Sequence, residues 1–243
     1  MERLVLVHGS VVGGRATWGA QRPLSERFEV VVVERPGFPP LPPAARVDFE
    51  SDAALVAELL HDGDHLVGHS YGGVIALLAA ALRPETLASL TVVEPPATRV
   101  AEGDPDVDAF AEGGRKLYDA AARDGDPEVF LREFLAAVGT RFDPPSPLPP
   151  DLAQGARALA VERGPWEADI QLEVLAATSF PKLVVSGAHH PAFDAICDVL
   201  ERELDAERAV LPGHGHVAQL HPGFNDRLAD FVERAASSRA TTR

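Results

Sequence analysis

One stretch limits what this chain can become. Leu66-Val67 runs directly into Gly68-His69-Ser70-Tyr71-Gly72-Gly73, and the Ala/Leu-rich segment Tyr71–Leu82 follows. A short apolar run, a glycine-flanked serine and a helix apolar on most sides read as strand, sharp turn and buried central helix. Glycines two before and two after Ser70 let the backbone turn without Cβ clashes. The Ser70 hydroxyl then projects from the turn, above the helix N-terminus. A helix of this kind needs a sheet to lie against.

The rest of the chain supplies that sheet. Leu4–Val7, Val30–Val33, Leu66–Val67, Leu90–Val93, Leu183–Val185 and the weaker Ala209–Leu211 are short and rich in Val and Leu. Continuous apolar runs of this length suit parallel strands buried on both faces. Between them the spacing predicts helices at Ser51–His61, with Ser51 or Asp52 as N-cap, and at Tyr71–Leu82, Phe193–Leu204 and Phe224–Ala235. The expectation is an α/β fold: a doubly wound, mostly parallel sheet with right-handed crossovers. The segment from about Pro95 to Ser179 is too long for one crossover helix. It holds helical candidates at Arg115–Ala122, Glu128–Val138 and Asp151–Glu162, with a stiff Pro-rich connection at Asp143–Pro150. The expected organisation is a core over residues 1–96 and 180–236, an inserted helical cap over 97–179, and a frayed tail over 237–243. With 243 residues, 46% of them hydrophobic, one core plus a sub-domain fits.

Charge excludes some partners. Lys and Arg number 22 against 37 Asp and Glu, a net charge of -15, and no basic run interrupts that balance. Neither nucleic acid nor an anionic membrane surface is an expected partner. The longest apolar run, Val74–Leu82, is too short to span a bilayer. No basic and apolar leader opens the sequence, so the expected location is the cytoplasm. Cys197, the single cysteine, has no partner for an internal disulfide.

Two further loops carry chemistry. Val7-His8-Gly9-Ser10 ends the first strand, and the backbone N–H of Ser10 offers one donor for an oxyanion, with that of Tyr71 as the other. Pro212-Gly213-His214-Gly215-His216 follows the last strand. A late loop histidine suits a general base, so His216 takes that role, with His214 as the alternative. A metal reading through His214, His216, His189 and His190 lacks a partner carboxylate at helical spacing, so no metal is expected.

Together these motifs resemble the α/β-hydrolase family over nearly the whole chain, from Leu4 to about Glu233. Trp18, Glu34-Arg35-Pro36-Gly37 and Glu94-Pro95-Pro96 are further points of similarity. The first strand here corresponds to the family's third, so the resemblance implies a trimmed sheet of about six strands. In most of the family an Asp in the loop after the penultimate strand supports the base. Here that loop reads Ala188-His189-His190-Pro191, and a histidine cannot stabilise an imidazolium. Some branches place the acid after the strand that follows the elbow, which implies Glu94; Asp194 is the alternative, at the start of the next helix.

The resemblance implies a serine hydrolase acting without cofactor on a small to medium hydrophobic ester or lactone. Ser70 is the expected nucleophile, His216 the base, Glu94 or Asp194 the acid, Ser10 and Tyr71 the oxyanion donors. Gly9 and Trp166 are the expected substrate-binding positions. The same scaffold also hosts C–C bond hydrolysis, perhydrolysis, acyl transfer and non-enzymatic ligand binding.

Overall fold

A computed structural model describes residues 1–242. Strands β1 (Arg3–Val7), β2 (Glu29–Val33), β3 (Asp64–His69), β4 (Leu87–Val93), β5 (Lys182–Ser186) and β6 (Glu207–Val210) form one sheet in the order β2-β1-β3-β4-β5-β6. All five pairings are parallel. The expected trimmed, doubly wound sheet is therefore present. Its chain order reverses between β1 and β3, and open α/β sheets form their ligand crevice at such a point.

The sheet is covered on both faces. Val5, Val7, Leu66 and Val92 pack on α2 (Phe49–Leu59), α3 (Tyr71–Leu82) and α8 (Pro191–Leu204). The intervening residues Leu4, Leu6, Val67 and Val93 pack on Trp18 and on α9 (Phe224–Thr242). A four-residue helix α1 (Gly14–Thr17) lies in the loop after β1. Between β4 and β5 lie α4 (Pro105–Asp124), α5 (Pro127–Ala137), α6 (Pro150–Ala160) and α7 (Leu172–Ala176). Phe130, Leu131 and Leu135 of α5 and Leu152, Ala156 and Leu159 of α6 make a second apolar cluster, which reaches the core at Val11.

Several helix boundaries differ from expectation, and three of the differences are instructive. α2 starts at Phe49 because Asp48 caps it, accepting from the N–H groups of Glu50 and Ser51. Asp52 is not a cap and is buried. α4 begins ten residues before the expected Arg115, capped by Asp104 and opened by Pro105. The Gly113-Gly114 pair inside it weakens the helical pattern from which its start would be read. α9 continues to Thr242, through most of the tail expected to fray; only Arg243 lies outside the described residues. There Ser237 and Ser238 donate back to the carbonyls of Glu233 and Arg234, and Arg239 pairs with Asp62. Among the described residues no helix is long and apolar enough to cross a membrane.

Candidate active site

The turn after β3 has a tightly constrained backbone. A Cβ on Gly68 would lie 2.2 Å from the carbonyl oxygen of Gly72, and one on Gly72 would lie 2.4 Å from that of His8. Neither position admits another residue without moving the backbone. Ser70 itself has φ 54°, in a region that L residues avoid. Its N–H donates to the carbonyl of Val93 at 2.8 Å, which ties the strained residue to the end of β4. Gly9 approaches from β1, and a Cβ there would sit 2.8 Å from the Cβ of Ser70.

His216 meets this serine from the loop after β6. Its Nε2 is 2.8 Å from Ser70 Oγ. Burial, together with the nearby imidazoles of His189 and His190, holds His216 below the ordinary histidine value. The ring is therefore neutral near pH 7 and free to accept a proton. His69 supports the same loop, its Nε2–H donating to the His216 carbonyl at 2.9 Å. His214 stands apart, against His221 with ring centroids 5.5 Å apart.

Of the two candidate acids, the structure brings Glu94 to His216. Glu94 is completely buried at the end of β4, and its Oε2 lies 3.4 Å from His216 Nδ1. The N–H of Gly187 donates to its other oxygen at 2.5 Å. Burial pushes this carboxyl up to about 7, and the Gly187 N–H and His189 offset part of the rise. Asp194, in the first turn of α8, is half-exposed and faces Arg208 Nη2 at 3.7 Å.

The expected oxyanion positions flank Ser70. Tyr71 is the first residue of α3, so its N–H has no acceptor within the helix. Ser10 follows β1, and its hydroxyl donates to Glu162. Behind both lies a network that the sequence did not reveal. Arg35 is buried, with Nε 2.8 Å from Asp52 and Nη2 2.8 Å from Glu162. Its Nη1 donates to the Gly9 carbonyl at 2.8 Å, and the guanidinium lies over Tyr71, 4.7 Å from the ring centroid. Arg35 belongs to a tetrapeptide already singled out, but nothing in local spacing pairs it with a carboxylate so far along the chain.

Two cavities meet at Ser10, Ser70, Phe134 and Val138. One, about 470 Å³, extends beneath α4 and is walled by Phe110, Tyr118, Trp166 and Phe193. Trp166 also packs edge-on against Tyr118, with ring centroids 5.1 Å apart. The other, about 520 Å³, passes Val11, Leu135, Phe142 and Leu220. Both are lined mainly by apolar side chains. Among the described residues, Glu94, His189 and His216 could each offer one metal-ligand atom, all within 4.8 Å of one another. A cation bound at His216 Nδ1 would leave Nε2 protonated and unable to accept from Ser70. The two uses of that imidazole exclude each other.

A sharp strand–serine–helix turn above a parallel sheet, met by a late histidine, defines a class of fold. The chain belongs to the alpha/beta hydrolase family, whose model matches residues 4–227. A pimeloyl-[acyl-carrier protein] methyl ester esterase from Aeromonas hydrophila is 38% identical over 92 residues, which are 37% of this chain and 36% of that protein. The similarity thus spans little more than a third of that relative's length. A thermophilic esterase from Thermogutta terrifontis superimposes with TM-score 0.65 at 21% identity, covering 97% of this chain and 91% of that one. Est816, described as an N-acyl homoserine lactone degrading enzyme, gives TM-score 0.63 at 23% identity over 95% and 93% of the two chains.

Proposed function

We propose that this chain is a serine hydrolase that cleaves a carboxylic ester bearing apolar groups on both sides of the scissile bond. The observation that carries the reading is the 2.8 Å contact between Ser70 Oγ and His216 Nε2, with Glu94 Oε2 behind His216 Nδ1. This arrangement supports a reading as nucleophile, base and orienting acid. The ester group of the relative from Aeromonas hydrophila agrees with it.

In this reading Ser70 attacks the carbonyl carbon as His216 takes its proton. The carbonyl oxygen becomes an anion between the N–H groups of Ser10 and Tyr71, each worth about 3 kcal/mol in such sites. His216 returns the proton to the departing alcohol. The acyl group remains on Ser70 until water, deprotonated by His216, attacks and restores the serine. Glu94 in its ionised form balances the imidazolium of each step. Helices α4–α6 act as a cap that keeps bulk water from this sequence. The two cavities receive the acyl and alcohol portions. A lactone of comparable size fits the same chemistry, its two arms joined.

The test is turnover of p-nitrophenyl esters from acetyl to octanoyl, and of a lactone panel, by wild type and Ser70→Ala. Hydrolysis that disappears in Ser70→Ala while the thermal melt is unchanged is the expected result. Equal hydrolysis by both proteins would refute the serine mechanism.

A further inference from the structure

We infer that His189 is a positioning residue for this site: its Nδ1 shares a proton with Glu94 Oε2 and keeps that carboxyl ionised toward His216. The inference rests on the reading of Ser70, His216 and Glu94 given above.

Hydrogen-bond complementarity carries it. His189 Nε2 lies 3.0 Å from the carbonyl oxygen of Val138, which can only accept, so Nε2 bears a hydrogen. Its Nδ1 lies 3.4 Å from Glu94 Oε2, the same distance at which His216 Nδ1 stands from that oxygen. A singly protonated His189 would therefore turn a bare lone pair on a buried carboxylate. The contact is favourable only with a proton between them. His189 Nδ1, His216 Nδ1 and Glu94 Oε2 make no hydrogen bond to any other group among the described residues, so each of the three faces only the other two. A donor at His189 Nδ1 leaves the Glu94 charge available to His216, whose Nδ1 faces the same oxygen.

The ring is fixed in this orientation. It stacks on Phe193, with centroids 5.6 Å apart and planes at 24°. The backbone of Gly139 closes its other edge, where a Cβ would come 2.8 Å from His189 Cδ2. Other charged and titratable groups nearby come from every packed element. His216 and His190 lie 5.9 and 6.2 Å away between ring centroids. Asp194 of α8 is taken up by Arg208 of β6, which also donates to Ser186 Oγ. Asp106 of α4 acts on His190. His189 is thus the second imidazole in contact with Glu94 Oε2, beside that of His216. The sequence showed only that a histidine stands in the loop where an acid was sought.

Two near-isosteric variants separate this role from simple packing. His189→Gln keeps a donor at the Nε2 position for Val138 but places none against Glu94. His189→Asn keeps a donor at the Nδ1 position for Glu94 but loses the Val138 bond. The readout is the rate at which a fluorophosphonate labels Ser70 between pH 5 and 9, which requires no knowledge of the natural ester. Without the His189 donor, Glu94 protonates more readily and the acid limb moves to higher pH. The expected shift in His189→Gln is about one pH unit, a roughly tenfold slower labelling near pH 6. His189→Asn should recover at least half of it. A His189→Gln profile that superimposes on wild type overturns the inference, as does an impaired His189→Asn beside an unaffected His189→Gln. Labelling that persists in Ser70→Ala would instead refute the serine reading itself, a separate result seen in the same experiment.

Discussion

Replacing Arg35 with Met tests how the molecule holds the loop after β1, which carries the proposed oxyanion donor Ser10. The guanidinium is 1% exposed, and its partners Asp52 and Glu162 are 5% and 0% exposed. Burial raises both carboxyls, and Arg35 is the main group that opposes the rise in each. Met matches the volume and leaves two dry carboxylates unpaired. Breaking a buried pair from one side costs about 3–5 kcal/mol. For a domain of this size that corresponds to a melting temperature lower by about 6–20 °C. The pH dependence has a definite sign. Without Arg35 the folded-state pKa values of Asp52 and Glu162 rise further above their unfolded values. Such groups penalise the fold when ionised in the unfolded chain, so the deficit is smallest below the ordinary carboxylate range and grows as pH rises through it. Thermal melts of wild type and Arg35→Met at pH 5 and pH 8 give the comparison. The gap should be wider at pH 8. A variant within about 2 °C of wild type at both pH values would show that the pairs carry no net stability, and the reasoning would fail.

The remaining predictions concern the acid and its titration. Glu94→Gln should lower kcat by several orders of magnitude, because loss of the anion leaves the base without its orienting partner; Asp194→Asn should stay near wild type, and the reverse ranking in steady-state kinetics would move the acid to Asp194. Turnover should rise with pH through an apparent value near the 7 to which burial pushes Glu94, since its protonated form cannot balance the imidazolium. A kcat/KM profile flat from pH 5 to 8 would contradict that.

The parts of the molecule legible in the sequence are those set by local physics. Six Val- and Leu-rich runs became the six strands because buried parallel strands need unbroken apolar sequence on both faces. The turn at Ser70 was legible because its glycines are required by contacts only a few residues away. What stayed hidden depends on contacts between distant segments. Asp52 was read as a helix cap from its position alone, whereas it faces Arg35, which no periodicity could indicate. Glu162 closed the helical candidate Asp151–Glu162 and is held against Ser10 and Arg35 from distant parts of the chain. His69, inside the best-recognised motif, gave no sign that its side chain supports the loop of His216.

The place proposed for the acid follows from sheet geometry. β4 and β5 are neighbours, with Val93 in register with Val185, so the ends of both strands open onto the same space. The N–H of Glu94 donates to the Val185 carbonyl at 2.9 Å, and Gly187 N–H returns a bond to the Glu94 side chain. A carboxyl rising from the end of β4 therefore reaches the region that the loop after β5 would otherwise fill. It starts one strand farther from the β6 loop, a spacing of about 4.8 Å, and the extra methylene of Glu over Asp lengthens its reach. The positive φ of 50° at Glu94 turns the chain there, and Pro95 and Pro96 lead it away. The loop after β5 is then relieved of supplying an acid, and it presents His189 to the same oxygen. In the proposed reading, an acid on β4 and a histidine supplied by the loop after β5 form one coupled arrangement. Glu94→Gln and His189→Gln together should therefore lose little more than Glu94→Gln alone, since without the carboxylate His189 has nothing left to position. Additive losses in that double-mutant cycle would mean that the two residues act independently.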